Sequence, residues 1–311
     1  MTIAIIVHGG ASPVAPEEAD AYKRGCLAAV QAGWAVLDRG GNACDAVEAA
    51  VRVFEDDQTF NAARGGFLNA DGEVQMDSAI MEGGDLRFGA LAAAQGLRHP
   101  ISVARKILDV GPLLLSGEGV TRFGEANGAE LCDPAELITA KARQQWEETE
   151  QQLHAQPQAE PSGSDTVGCV ALDANGLIVV GTSTGGEDHN PPGRIGDSAQ
   201  VGCGFYAENT LGGCAMTGTG EAIMQVVLAK TVVEFLAAGF HPDDAAKQAI
   251  DLLGQRVKGE GGCIVIDEQG QVGWAHNSTD MPCAVMTSTM DEPQVWLRKA
   301  DASTVRPAMT Q

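Results

Sequence analysis

Thr166 stands where two kinds of chain meet: a stretch rich in Glu, Gln, Pro and Ser ends at Asp165, and a β-forming run, TVGCVALD, begins. A threonine freed at a chain terminus would carry a hydroxyl nucleophile and an α-amine in one residue. That amine has an ordinary pKa of about 7.7–8.0, so it can take the hydroxyl proton with no histidine present. Alone, a threonine opening a strand is an ordinary β-former, so the chemical reading needs partners elsewhere. Arg194 and Asp197 lie three apart in PGRIGDS. A guanidinium and a carboxylate at that spacing can face one small zwitterion, the fork holding its carboxylate and the acid pairing with its ammonium. A surface salt bridge is the structural alternative. The segment MTGTGE (216–221) imitates the first half of a dinucleotide fingerprint, but Ile223 stands where the third glycine belongs, and nucleotide binding is not expected.

Other chemistries are disfavoured by composition. The chain of 311 residues carries 42 acidic and 20 basic residues, a formal charge of −22. Such a field repels nucleic acid and anionic membrane surfaces; it is either a solvated surface or a bias toward cationic substrates. Eight cysteines are scattered singly with no C-x-x-C pair, which reads as free thiols in a reducing compartment. The six histidines show neither H-x-x-x-H nor H-x-E spacing, so zinc is not expected. No apolar run approaches the roughly 20 residues of a membrane span. The N-terminus MTIAIIVHGG reads as a first strand, not a signal peptide, and a cytoplasmic location is the expectation.

The elements that would position these residues follow from periodicity. The run IAIIV (3–7) predicts a strand buried on both faces, closed by Gly9-Gly10. Apolar residues at intervals of three and four predict helices over 17–37, 43–54, 101–108, 117–125, 220–237 and 241–253. Hairpins are expected over 66–80 with a turn at 70–72, over 166–186 around Ala174-Asn175-Gly176, and over 261–277. Residues 133–165 read as a charged helix running into a flexible linker, since almost no large apolar residue follows Trp146. Strands and helices fall in blocks without regular βαβ alternation, so an α+β fold with stacked antiparallel sheets covered by helices is predicted.

Taken together, SDTVGCVALD, GTSTGG, PGRIGDS and CAMTGTGE in the C-terminal half, with IIVHGGA, GGNACDAVEAAVRVFEDDQTFNA and MDSAIMEGG in the N-terminal half, resemble the plant-type asparaginase and isoaspartyl peptidase family. The likeness covers nearly the whole chain apart from the linker. It implies the αββα sandwich of N-terminal-nucleophile hydrolases. The precursor would cut itself into an α-subunit, 1–165, and a β-subunit, 166–311, with the cleavage site between Asp165 and Thr166. Thr166 falls on the family nucleophile and Thr184 on the hydroxyl that orients it. Arg194 and Asp197 fall on the clamp for the α-carboxylate and α-ammonium of an aspartyl group, Thr217 and Gly218 on the oxyanion hole, and Gly220 on an aspartyl contact. Asn61 matches the asparagine that bonds near the nucleophile. The resemblance implies no cofactor for the chemistry. It does imply a structural Na+ or K+ held by backbone carbonyls of Phe54, Glu55, Asp57, Phe60, Ala62 and Arg64, and assembly as a dimer of αβ heterodimers.

Certain positions depart from the family pattern. Ala63 replaces a glycine in NAARG, which tells against the ion loop, and Ser12 follows HGGA. HNSTDMP replaces the usual segment there, so His276 and Asp280 are expected at the leaving-group pocket. The activity implied is hydrolysis of β-aspartyl dipeptides with asparagine as a second substrate. Glu187-Asp188 beside the clamp suggests a preference for β-Asp-Arg. Two alternatives stand: a glycosylasparaginase, since Asp165 before the nucleophile also occurs in that branch, and a ligand-binding protein that keeps the clamp and never matures.

Overall fold

The computed structural model describes residues 2–111, 113–155 and 165–302. The chain opens with β1 (Ala4–His8), α1 (Ala19–Leu37) and α2 (Ala43–Asp56), then β2 (Met76–Glu82) and β3 (Phe88–Ala94). Next come α3 (Pro100–Val110), β4 (Leu113–Ser116), α4 (Glu118–Ala126) and α5 (Ala140–Ala155). The C-terminal half contributes β5 (Val167–Leu172), β6 (Ile178–Thr184), β7 (Phe205–Glu208), β8 (Gly212–Gly218), α6 (Gly220–Gln225), α7 (Leu228–Ala237) and α8 (Pro242–Val257). It closes with β9 (Gly261–Asp267), β10 (Val272–His276), β11 (Cys283–Thr287), β12 (Gln294–Trp296) and α9 (Lys299–Ala302).

These strands form two sheets, ordered β12-β11-β1-β5-β6-β2-β3-β4 and β10-β9-β8-β7. The pairing is antiparallel except for β3 with β4. The fold is therefore α+β with two mainly antiparallel sheets, as composition and blocking predicted.

Period-two alternation explains why the strands read as continuous apolar runs. Ile5 and Val7 join one buried cluster with α1, α2 and α3, while Ala4 and Ile6 join another with Phe205, Ala215, Ile264 and Ile266 of the smaller sheet. On that sheet Cys214, Met216, Cys263 and Val265 face α7 and α8. Both faces of the central strands are dry, so neither face can be polar. The consequence for the site is directional: β5 begins and β1, β6 and β8 end close to one another, because β5 runs antiparallel to β1 and β6.

Several predicted elements shift. Residues 66–75 are not a strand. The Asn69 side-chain oxygen accepts from the amides of Asp71 and Glu73, closing a turn on itself. The hairpin instead joins β2 to β3. The single helix expected over 220–237 is broken at Val227 (φ +50), because the amides of Ala229 and Lys230 bond the carbonyls of Cys203 and Gly202 and tie the start of α7 to that loop. The charged helix expected after 133 is α5, which runs from Ala140 to Ala155 behind a 3-10 turn at Pro134–Leu137 and is capped by Thr139 Oγ1 accepting from the Ala142 amide at 3.1 Å. The remainder, 156–164, lies outside the described residues. Among the described residues no helix is long and apolar enough to cross a membrane.

Candidate active site

Thr166 immediately precedes β5 and is buried, 4 % exposed. Its Oγ1 lies 2.8 Å from Ser198 Oγ, and its backbone N–H donates to Thr217 Oγ1 at the end of β8, 3.0 Å away. The carbonyl of Asp165, the oxygen of the peptide bond leading into Thr166, accepts two hydrogen bonds. Asn61 Nδ2 donates at 2.7 Å and Thr184 Oγ1, the last residue of β6, at 2.6 Å. Thr184 Oγ1 in turn accepts from the Gly186 amide at 3.1 Å, and Asn61 Nδ2 also reaches the Gly186 carbonyl at 2.7 Å. Two donors aimed at one carbonyl oxygen form the arrangement that stabilises an oxyanion if that carbon is attacked.

The Asp165 side chain is fixed from the other direction. The Ala11 amide and Ser12 Oγ donate to its two oxygens at 2.7 and 2.5 Å. Burial nonetheless raises its pKa to about 6, the two hydrogen bonds and Lys141 pulling the other way. Gly10 (φ +115) is required here: a Cβ would sit 2.5 Å from the Asp165 carboxylate. His8, at the end of β1, is fully buried and pushed down to about 3, so it stays neutral and supplies no charge to the site.

The clamp residues are beside this centre but differently engaged than their spacing suggested. Arg194 makes a bidentate pair with Glu221, 2.8 and 2.6 Å, and a third contact with Glu187 at 2.9 Å. Asp197 is 2 % exposed, its Oδ2 has no hydrogen-bond partner, and burial raises it to about 7. Gly220 lies against the pair, since a Cβ there would be 2.9 Å from Arg194 Nη2 and 3.1 Å from Asp197 Oδ1. Gly218 (φ +130) must be glycine because a Cβ would strike the Glu260 carbonyl at 2.3 Å. A cavity of about 720 Å³ opens onto Ser12, Asn61, Asp165, Glu187 and Gly218. Asp165 lines it and Thr166 does not, so Asp165 stands between Thr166 and the cavity.

A family model described as asparaginase matches residues 1–295. The chain belongs to the asparaginase family. It is 39% identical over 286 residues to the bovine isoaspartyl peptidase/L-asparaginase, covering 91% of this chain and 93% of that protein. It is 38% identical over 281 residues to the Xenopus laevis protein of the same name, 87% and 91% covered. The plant-type L-asparaginase of Pyrococcus abyssi is 40% identical over 307 residues, 94% and 99% covered.

Thr166, Thr184, Asn61 and Thr217 thus come together as the asparaginase-family resemblance implied. His276 and Asp280 do not join them. His276 stacks on Trp274 and accepts from the Lys299 amide, while Asp280 pairs with Arg298 and accepts from the Val14 amide. Ser198 was missed; its place directly after Asp197 in PGRIGDS was the available signal. Asp77 was missed too. It is buried, accepts from the amides of Ala93 and Gly196, and is raised by burial to about 6. Only its position in the apolar strand MDSAIME hinted at it.

The raised carboxyl at Asp197 predicts a pH effect. A carboxyl protonated in the folded state up to about 7, against 3.8 when unfolded, contributes stability that is present in full below 3.8 and lost as pH rises through 7. Asp197→Asn should therefore gain in Tm relative to the parent chain between pH 5 and 8, and equal shifts at both pH values would contradict this.

Proposed function

We propose that this chain matures by cutting itself before Thr166 and then hydrolyses β-aspartyl amide bonds, in isoaspartyl dipeptides and in asparagine. The observation that carries the reading is the Asp165 carbonyl held by Asn61 and Thr184 beside a buried threonine hydroxyl. Family membership makes the chain an amide hydrolase. The maturation step balances simply. Thr166 Oγ1 attacks the Asp165 carbonyl carbon, the C–N bond breaks as the hydroxyl proton passes to nitrogen, and water then cleaves the ester to leave an Asp165 carboxylate and a free α-amine. That amine, next to Thr217 Oγ1, is the base for later turnovers.

The aspartyl group would sit with its α-carboxylate on Arg194 and its α-ammonium at Asp197, placing the β-carbonyl toward Thr166. The carboxylate would then share or displace the Glu221 contact. Thr217 and the Gly218 amide are the proposed donors to the second oxyanion. Supporting the αββα sandwich arrangement are the three buried clusters, helix against sheet, sheet against sheet, and sheet against helix.

Glu187, which pairs with Arg194, and Glu260 line the cavity, and their carboxylates favour a cationic leaving group. A panel of β-Asp-Arg, β-Asp-Leu, asparagine and glycosylated asparagine decides among the readings. Turnover of the dipeptides and asparagine is expected, with kcat/KM for β-Asp-Arg about tenfold above β-Asp-Leu at low salt and the gap narrowing as salt screens it. Action on the glycosylated substrate alone would make the protein a glycosylasparaginase, and equal rates on both dipeptides would remove the cationic preference.

The loop after α2 fits a monovalent cation. Gly65 (φ +110) leaves a space where a Cβ would lie 2.8 Å from the carbonyl oxygens of both Gln58 and Phe60, and Ala63 adopts the left-handed backbone (φ +42) that the family glycine would. The Phe54, Glu55, Asp57 and Phe60 carbonyls each accept one backbone N–H, which leaves a second lone pair for an ion. Na+ or K+ there would brace Asn61; a Tm unchanged between NaCl and choline chloride would remove the ion. A dimer of αβ heterodimers rests on the family resemblance and would show by light scattering as twice the 32.2 kDa chain.

A further inference from the structure

Helix α5 precedes the cleavage point, so maturation places it on the N-terminal chain while the loop that carries Glu187 and Arg194 goes to the C-terminal one. The two meet over a polar but closely fitted contact. Arg143, Trp146 and Glu150 recur at intervals of three and four and share a face of the helix. The Trp146 indole stacks on His189 with centroids 5.3 Å apart and planes 15° apart, and its Nε1 donates to the Asn69 carbonyl at 2.9 Å. Arg143 covers the indole's other surroundings, 5.6 Å from its centroid. Thr149 Oγ1 donates to Asp188 Oδ2 at 2.7 Å, and Glu150 lies 3.5 Å from His189 Nε2.

His189 is buried and has φ +55, a left-handed backbone that a non-glycine residue keeps only when its surroundings impose it. Those surroundings are the Trp146 stack and the bond from the His189 amide to the Leu68 carbonyl at 2.8 Å. The same short loop runs straight into the site. Gly186 bonds Thr184 Oγ1 and Asn61, and Glu187 holds Arg194. The first turn of α5 also forms cavity wall through Lys141, Ala142 and Gln145. Apolar anchoring of the helix is limited to Ala142, its one buried residue, and to Trp146, which packs half-buried against the same core.

We propose that Trp146 is a positioning residue for substrate binding: through its stack on His189 it fixes loop 186–190 across the future chain junction, and with it the Glu187–Arg194 arm of the clamp. The substrate part of this inference rests on the reading of Arg194 given above, whereas the loop-holding part does not. Trp146 reaches the two donors on the Asp165 carbonyl only indirectly, through Gly186, so self-cleavage without it is expected to be complete but slower.

Two measurements on the full-length protein test it. In Trp146→Ala, both fragments should still form, KM for a β-aspartyl dipeptide measured on the cleaved protein should rise about tenfold with kcat within twofold, and Trp146→Phe, which keeps the stack, should restore most of the loss. Independently of any substrate, amide hydrogen exchange across 186–190 should accelerate in Trp146→Ala while β1 and β5 stay protected. Unchanged exchange, or a fall in kcat at constant KM, overturns the proposal. Should Trp146→Ala not accumulate folded, Thr149→Val removes only the bond to Asp188, and unchanged exchange at 187–190 in that variant overturns it equally. If the parent fails to hydrolyse any β-aspartyl substrate, the functional reading falls while the exchange experiment still decides whether α5 holds the loop.

Discussion

Thr166→Ala is expected to yield one uncut chain of full length and to lower amide hydrolysis by on the order of 10⁴-fold or more, the scale seen when a covalent nucleophile is removed. Both losses come from one atom. Oγ1 is the group next to the Asp165 carbonyl in the precursor, and without it that peptide bond persists, so the α-amine never forms. A denaturing gel reads the first loss and a dipeptide assay the second. Thr166→Ser separates them from misfolding: it keeps the hydroxyl and the prospective amine, so it should still divide into two fragments and retain part of the activity. The alanine variant should also still bind an aspartyl ligand through Arg194 and Asp197, because neither residue touches Thr166 Oγ1. An active parent protein that runs as a single band, or an alanine variant that hydrolyses at the parent rate, would mean that the threonine mechanism is wrong, whereas an uncut parent that binds an aspartyl ligand and hydrolyses nothing would be a binder.

How much of this was legible beforehand depends on what each residue answers to. The strands β1, β5, β6 and β9 were readable because burial on two faces gives each an apolar run, and a turn such as Ala174-Asn175-Gly176 marks the reversal. α1, α2 and α3 were readable because each presents one face to a sheet. The break at Val227 was not, since it is imposed by carbonyls of residues 202 and 203, far off in sequence, and nothing in IMQVVLAK departs from helical composition. Likewise Trp146 looked like the last apolar residue before a linker, and its partner His189 lies 43 positions later on a loop.

Within the site, residue types and family motifs named Thr166, Thr184, Asn61 and Thr217, but they could not tell which atom each one meets. Thr184 was expected to orient the nucleophile or its amine. In the structure Thr184 donates to the Asp165 carbonyl, and it is Ser198 that meets the Thr166 hydroxyl. Arg194 shows the same limit. Its spacing to Asp197 suggested a shared ligand, yet its fork closes on Glu221, whose carboxylate is the same chemical group that an aspartyl ligand would present to it.

The distinction between orienting a hydroxyl and stabilising an oxyanion can be put to experiment at Thr184 and Asn61. If their shared task in the precursor is to stabilise negative charge on the Asp165 oxygen, Thr184→Val and Asn61→Ala should each slow self-cleavage by about 10²–10³-fold, equivalent to about 2.7–4 kcal/mol of barrier for one lost donor. Valine keeps the branching of threonine and the backbone pairing at the end of β6 with Asp77 and Val167, while the Gly186 amide loses its acceptor at a cost of about 1–3 kcal/mol. Asn61→Ala removes more: its Nδ2 also bonds the Gly186 carbonyl, and its Oδ1 accepts from the Phe67 amide, so some loss of stability accompanies the kinetic effect. The decisive comparison is the double variant, timed by fragment appearance after purification as uncut chain. Two donors acting on the same developing charge in one site couple, so the combined slowing should fall short of the product of the single effects. Cleavage of Thr184→Val at the parent rate would show that the 2.6 Å contact belongs to the resting precursor alone, and the oxyanion role would pass to Asn61 by itself.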